Sequence, residues 1–222
     1  MTTREGPFVF VACMELKEFV GLRAENERQL AQFLDEVPLD SIYYHTHGLL
    51  LRHRLVTGPY PNDFATWVDV QVRDRILAER LAMVDPADFS SLQTLREELV
   101  SVVDEHLARI GIVPQVVSGE PFEFIQSRIV EIPTGVEVKT LQELRDALLD
   151  VDQSALYFHL VESRLRLGRG RNDFAAWLEG ALGLPDLATR VQTVNPYADS
   201  LEQARMRLVA LLDEALAAGA GR

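Results

Sequence analysis

His45 and His159 are the residues best suited to chemistry, because a neutral imidazole exchanges a proton near pH 7 and can also ligate a metal. Each follows two aromatic residues, Tyr43-Tyr44 and Tyr157-Phe158, and each is followed by an Asn-Asp pair, Asn62-Asp63 and Asn172-Asp173. The Asp carboxylates have the chemistry of general bases, and the Asn amides that of substrate-orienting groups. Positive charge lies between the His and the Asn-Asp pair in both places. Arg52, His53 and Arg54 supply it in the first, and Arg164, Arg166, Arg169 and Arg171, around Gly168 and Gly170, in the second. Arginines beside Gly-rich backbone hold phosphate or carboxylate through paired hydrogen bonds. A His, a carboxylate and an Arg converging in one pocket would make an enzyme for a phosphorylated or carbohydrate substrate.

The same residues have structural uses, and these are the favoured readings. A His between aromatic residues can hold a core junction by bonding a neighbouring helix end or carboxylate. Asn-Asp directly before Phe-Ala-x-Trp stands where side-chain oxygens cap a starting helix. Trp67 and Trp177 are core anchors before they are stacking platforms. The arginine loops pair with acidic residues or stay solvated. No catalytic residue is therefore assigned, with His45 and His159 as the candidates. Arg52, Arg54, Arg164, Arg166, Arg169 and Arg171 are the candidate binding residues. No metal site is expected: His47, which would share a strand face with His45, is matched by Val161, and no His-x-x-x-His or Cys-x-x-Cys spacing occurs. No cofactor is expected either, since Gly168-Arg169-Gly170 fits neither the P-loop nor the dinucleotide fingerprint. The lack of Gly-x-Ser-x-Gly leaves nucleophilic hydrolysis without support.

These residues recur because the chain reads as two copies of one unit. Pro7, Phe8, Phe10, Leu30, Leu34, Val37, Tyr43 and His45 fall on Pro121, Phe122, Phe124, Leu144, Leu148, Val151, Tyr157 and His159. After a deletion, Asn62-Asp63-Phe64-Ala65 and Trp67 fall on Asn172-Asp173-Phe174-Ala175 and Trp177, and Leu77-Ala78 on Leu187-Ala188. Past Pro86 and Pro196, Ser91-Leu92, Arg96, Leu99-Val100 and Asp104-Glu105 meet Ser200-Leu201, Arg205, Leu208-Val209 and Asp213-Glu214. The division is a tail at 1–6, copy 1 at 7–110, a linker at 111–120, copy 2 at 121–217 and a tail at 218–222.

Each copy opens with a short strand candidate, Phe8–Val11 and Phe122–Ile125, rich in aromatic and β-branched residues. An amphipathic helix follows, from Asn26 to Glu36 and from Thr140 to Asp150, with Glu143 placed to complete a capping box on Thr140. Tyr43-Tyr44-His45 and Tyr157-Phe158-His159 fit a helix or a buried strand, and their continuing apolar pattern favours helix. Further helices begin at Asn62 and Asn172, and at Ser91 and Ser200. The fold class is mainly α with a small β component (α+β), an internal tandem duplication packed with approximate twofold symmetry. A small sheet shared by the copies fits this reading, since lone strands leave backbone donors and acceptors unpaired.

The combined pattern resembles a prokaryotic family, domain of unknown function 5752. The resemblance rests on Tyr43-Tyr44-His45, Tyr157-Phe158-His159, the two Asn-Asp-Phe-Ala-x-Trp runs and Asn195-Pro196-Tyr197, and it spans residues 7 to 217. It implies no reaction and carries over no site residue. Composition narrows the classes that remain. At 222 residues, with 47% hydrophobic and 25% charged residues, the chain is long enough for a substantial core. A net charge of −12 opposes nucleic-acid binding, which needs clustered Lys and Arg. Cys13, the only cysteine, rules out an intrachain disulfide and fits a cytoplasmic location as a small buried hydrophobe. No apolar run is long enough for a membrane helix. The expected function is a binding or interaction module for a protein partner or an anionic small molecule. The alternatives are the His-based enzyme and an oligomeric scaffold, with homo-oligomerisation open to all three.

Overall fold

The computed structural model describes residues 6–52, 60–110, 119–165, 170–197 and 200–219. In chain order, β1 (Phe8–Ala24) precedes α1 (Glu27–Glu36), α2 (Leu39–His45), α3 (Leu49–Arg52), α4 (Asp63–Trp67), α5 (Arg75–Ala82) and α6 (Leu92–Leu107). Then come β2 (Phe122–Val138), α7 (Leu141–Asp150), α8 (Gln153–Tyr157), α9 (Ser163–Leu165), α10 (Asp173–Gly180), α11 (Pro185–Gln192) and α12 (Leu201–Ala217). The protein is mainly helical, with β1 and β2 paired as a two-stranded antiparallel sheet. Both Tyr43-Tyr44-His45 and Tyr157-Phe158-His159 are helical. The second runs from α8 into a wider π turn over Phe158–Glu162, and a similar turn, Val68–Val72, continues α4.

The strands depart from expectation in length. Each has 17 residues where a short segment was expected, and each passes through a glycine in the left-handed region, Gly21 (φ 85°) and Gly135 (φ 74°). Beyond their buried ends the strands run on through largely exposed residues, Lys17-Glu18 in β1 and Arg128 to Thr134 in β2, where apolar and polar residues do not alternate regularly.

The chain divides into two compact units, and both boundaries fall inside the strands. One, the internal unit, is Glu15–Ile129; the other, the terminal unit, joins Met1–Met14 to Val130–Arg222. In the internal unit α1 packs on α6 and α4 on α5. Its core holds Leu30, Leu34, Phe64, Leu77, Leu81, Leu95, Leu99 and Phe124. The strand segments are fastened by Gln126 Nε2 donating to Glu18 Oε2 at 3.0 Å and by an Arg23–Glu123 ion pair at 2.7 Å. In the terminal unit α7 packs on α12 and α10 on α11. Phe8, Phe10, Leu144, Leu148, Tyr157, Phe174 and Leu208 are buried there, and Thr134 Oγ1 donates to the Phe10 carbonyl at 2.6 Å.

Helix starts follow the sequence closely. Asn62 Oδ1 accepts from Ala65 N, and Asn172 Oδ1 from Ala175 N, both at 2.8 Å. Ser91 and Ser200 cap α6 and α12, and Thr140 with Glu143 closes a capping box on α7. Helix ends are held by arginine. Arg96 donates to the carbonyls of Asp35 and Val37 at the end of α1, and Arg205 to those of Leu148 and Val151 at the end of α7. Trp67 and Trp177 are buried, and their indole N–H groups donate to the Glu120 carbonyl at 2.8 Å and the Gly6 carbonyl at 3.0 Å. Cys13 is buried, its thiol 3.4 Å from the Ser154 carbonyl. Among the described residues, no helix is long and apolar enough to cross a membrane.

Candidate functional site

The end of α2 buries His45 among aromatic rings, with ring centroids 4.6 Å from Phe122, 4.8 Å from Tyr44 and 5.4 Å from Phe64. Its Nε2 accepts the backbone N–H of Ile125 at 3.0 Å. A backbone amide only donates, so Nε2 presents a lone pair and the ring proton sits on Nδ1. Nδ1 therefore donates to Asp63 Oδ2, 2.9 Å away. Burial holds the imidazole below its ordinary pKa of 6.5, against the opposing pull of Asp63 and with a smaller contribution from Arg52. The ring is neutral and both nitrogens are in use.

Arg52, at the end of α3, completes the network. Its Nη2 donates to the same Asp63 Oδ2 at 2.6 Å and its Nη1 to the Tyr44 carbonyl at 2.7 Å. The guanidinium lies 3.8 Å over the Tyr44 ring, and Glu15 Oε2 is 4.0 Å from Nη1. Gly48 makes the turn between α2 and α3 possible: a Cβ there would stand 2.8 Å from the Tyr44 carbonyl oxygen and 2.9 Å from Glu15 Oε1.

The terminal unit contains a similar tie. His159 Nε2 accepts the Val11 N–H at 2.9 Å, and Nδ1 lies 2.9 Å from Asp173 Oδ2. Phe8, Phe158 and Phe174 surround the ring at 4.7, 5.2 and 5.5 Å. In both places Asn does the capping while the adjacent Asp is turned to the histidine, a division of labour that the sequence reading assigned to capping as a whole. Each histidine thus fastens a helix end to a strand backbone.

The arginines do not gather into one anion site among the described residues. Arg52 is committed to Asp63 and Tyr44, and Arg171 pairs with Glu179. Arg164 is half-buried in α9, where its carbonyl accepts the Gly170 N–H at 3.3 Å. Arg54, Arg166 and Arg169 lie outside the described residues. His47 is buried with its ring 5.3 Å from that of Tyr43.

The family model for a family of unknown function, DUF5752, matches residues 5–213. The chain belongs to that family. This DUF5752 chain is also similar to a solved structure, described as the structure of OrfY from Thermoproteus tenax. The two share 27% identity over 96% of this chain and 97% of that one, with a TM-score of 0.82. No curated protein matches the DUF5752 chain significantly.

One polar cluster was not singled out from the sequence. In the internal unit Asp74 caps α5, its Oδ1 accepting from Leu77 N at 2.9 Å, while its Oδ2 lies 2.9 Å from His106 Nε2 on α6. Glu27, the first residue of α1, points its carboxyl at the same pair and is fully buried. Neither Glu27 oxygen has a hydrogen-bond partner. Burial first, and then the negative charge of Asp74, push its pKa from 4.5 to about 7.

Proposed function

We propose that the chain is a non-catalytic binding module whose ligand is a protein partner. The reading rests chiefly on how the histidines are used. A general acid or base must present a free nitrogen to substrate, whereas each of these rings has its two nitrogens set against a strand amide and a carboxylate. Arg52, the candidate anion ligand beside His45, already serves Asp63.

The surface of the internal unit indicates where a partner would dock. Phe19 is 70% exposed and Leu16 53% exposed on β1. Phe19 borders a depression of about 180 Å³ over Gly21, lined also by Leu22, Arg23, Glu123 and Phe124. An exposed aromatic beside a hollow on a two-stranded ribbon suits an apolar anchor and strand-edge pairing. The net charge of −12 favours a partner with a basic rim. The tandem duplication with its twofold packing, the cytoplasmic location and any homo-oligomer belong to the same proposal. Native mass spectrometry of protein purified from its source, beside a Phe19→Ser variant, tests it. The variant should keep its fold and lose the co-purified partner; equal recovery by both proteins would refute the docking surface, and turnover abolished by His45→Gln in a folded protein would restore the enzyme.

A further inference from the structure

The polar cluster at Glu27, Asp74 and His106 has the chemistry of a cation site. One donor atom from each side chain lies within 4.8 Å of the other two. Divalent transition metals bind His nitrogen and carboxylate oxygen at about 2.0–2.2 Å, so donors around one tetrahedral ion stand about 3.3–3.6 Å apart. Side-chain movement that closes the widest separation by about 1–1.5 Å would bring all three into contact with a common ion. Two carboxylates and a neutral imidazole carry the charge that balances a doubly charged cation.

Glu27 is the observation that points to a ligand. A fully buried carboxyl normally has a hydrogen-bonded or ionic partner, because removing such a group from water without one is costly. Glu27 has none, stands at the cluster and is next to another carboxylate. The fold itself does not require these polar residues. The sequence register that matches Leu30 with Leu144, Leu77 with Leu187 and Asp104 with Asp213 places Leu141, Leu184 and Ala215 at the equivalent positions. Each occupies the same place in its helix. Leu141 opens α7 as Glu27 opens α1, Leu184 precedes α11 as Asp74 precedes α5, and Ala215 sits in the last turn of α12 as His106 does in α6. Three helix positions that are aliphatic in the terminal unit are all metal-binding types in the internal one.

We propose that Glu27, Asp74 and His106 bind a divalent first-row transition-metal ion, with His106 Nε2 and one oxygen from each carboxylate as the protein ligands. Asp74 keeps its second oxygen on the Leu77 amide, which holds the carboxylate in place as an outer hydrogen bond does in built metal sites. Three protein ligands leave a position open for water. The ion ties the starts of α1 and α5 to the end of α6.

Full-length protein stripped with a chelator and titrated with Zn²⁺, Mn²⁺ and Co²⁺ tests the site. One ion should be retained per chain after desalting, with a raised melting temperature. Zn²⁺ should shift the side-chain ¹⁵N resonances of one of the five histidines. Glu27→Gln, and a triple Glu27→Leu/Asp74→Leu/His106→Ala variant that copies the aliphatic set of the terminal unit, should each lose affinity by at least about 10-fold. Wild-type protein that takes up no ion, or shows no histidine shift on Zn²⁺, overturns the proposal. So does a triple variant that binds as tightly as wild type. The wild-type measurements decide the matter even if a variant fails to fold.

Discussion

Replacing His45 with alanine removes an acceptor, a donor and a buried ring at once. The Ile125 N–H is left unsatisfied in the interior, which costs about 1–3 kcal/mol. Asp63 loses a charge-assisted hydrogen bond worth about 1.5–3 kcal/mol, although Arg52 remains to hold the carboxylate. The space left between Phe64, Phe122 and Tyr44 adds to this, so we expect a loss of roughly 3–5 kcal/mol. For a chain of this size that corresponds to a fall in melting temperature of about 6–20 °C. Glutamine separates the contributions. Its side-chain oxygen can reach the position of Nε2 and accept from Ile125 while giving up Asp63, so His45→Gln should recover about half the loss. The assay is thermal unfolding by circular dichroism, combined with hydrogen exchange at the Ile125 amide, whose protection should fall in the alanine variant and persist in the glutamine one. An alanine variant melting within about 2 °C of wild type, or retaining full protection at Ile125, would refute the tie.

Acid should loosen the same junction. Because burial lowers the folded pKa of His45 below 6.5, the folded state binds fewer protons than the unfolded one. The contribution of His45 is therefore complete above pH 6.5 and declines as pH falls from 6.5 towards the folded value. Denaturant titrations across that interval should show a decline that is smaller in His45→Gln; equal pH dependence in the two proteins would contradict this. Gly48→Ala should destabilise by about 1–3 kcal/mol, since the new methyl meets the Tyr44 carbonyl and the Glu15 carboxyl, and an unchanged melting temperature would show that the turn can yield.

The helices were legible because their signals are local. Asn62, Asn172, Ser91, Ser200 and Thr140 announce helix starts through residues three positions away, and the apolar spacing of Leu30 and Leu34 or Leu144 and Leu148 declares the buried face. The strands were legible only where they enter a core, as at Phe8 and Phe10. Beyond that, the middle of β1 lies largely in water and has no buried alternation to read, although Val20, Leu22 and Ala24 turn inward again at its far end. The histidines were visible as candidates, but their use was not. What settles the tautomer of His45 is an amide 80 residues away, and no side-chain pattern records a backbone donor. The Glu27 cluster went unnoticed because its members lie far apart in sequence, Asp74 and His106 being separated by 32 residues. The available signal was a disagreement between the copies, with Leu141, Leu184 and Ala215 standing against Glu27, Asp74 and His106.

The placement of both unit boundaries within β1 and β2 bears on how the polypeptide emerges during synthesis. The first 14 residues belong with Val130–Arg222, so they wait through the synthesis of the whole internal unit before their own can be completed. The imidazole that accepts the Val11 N–H leaves the ribosome 148 residues after Val11 does. The internal unit, by contrast, needs the chain only as far as Ile129, and His45 meets its amide donor at Ile125 just before that point. The order of translation thus favours an internal unit that folds while the nascent chain is still growing, with the leading segment left exposed until the C-terminal helices follow.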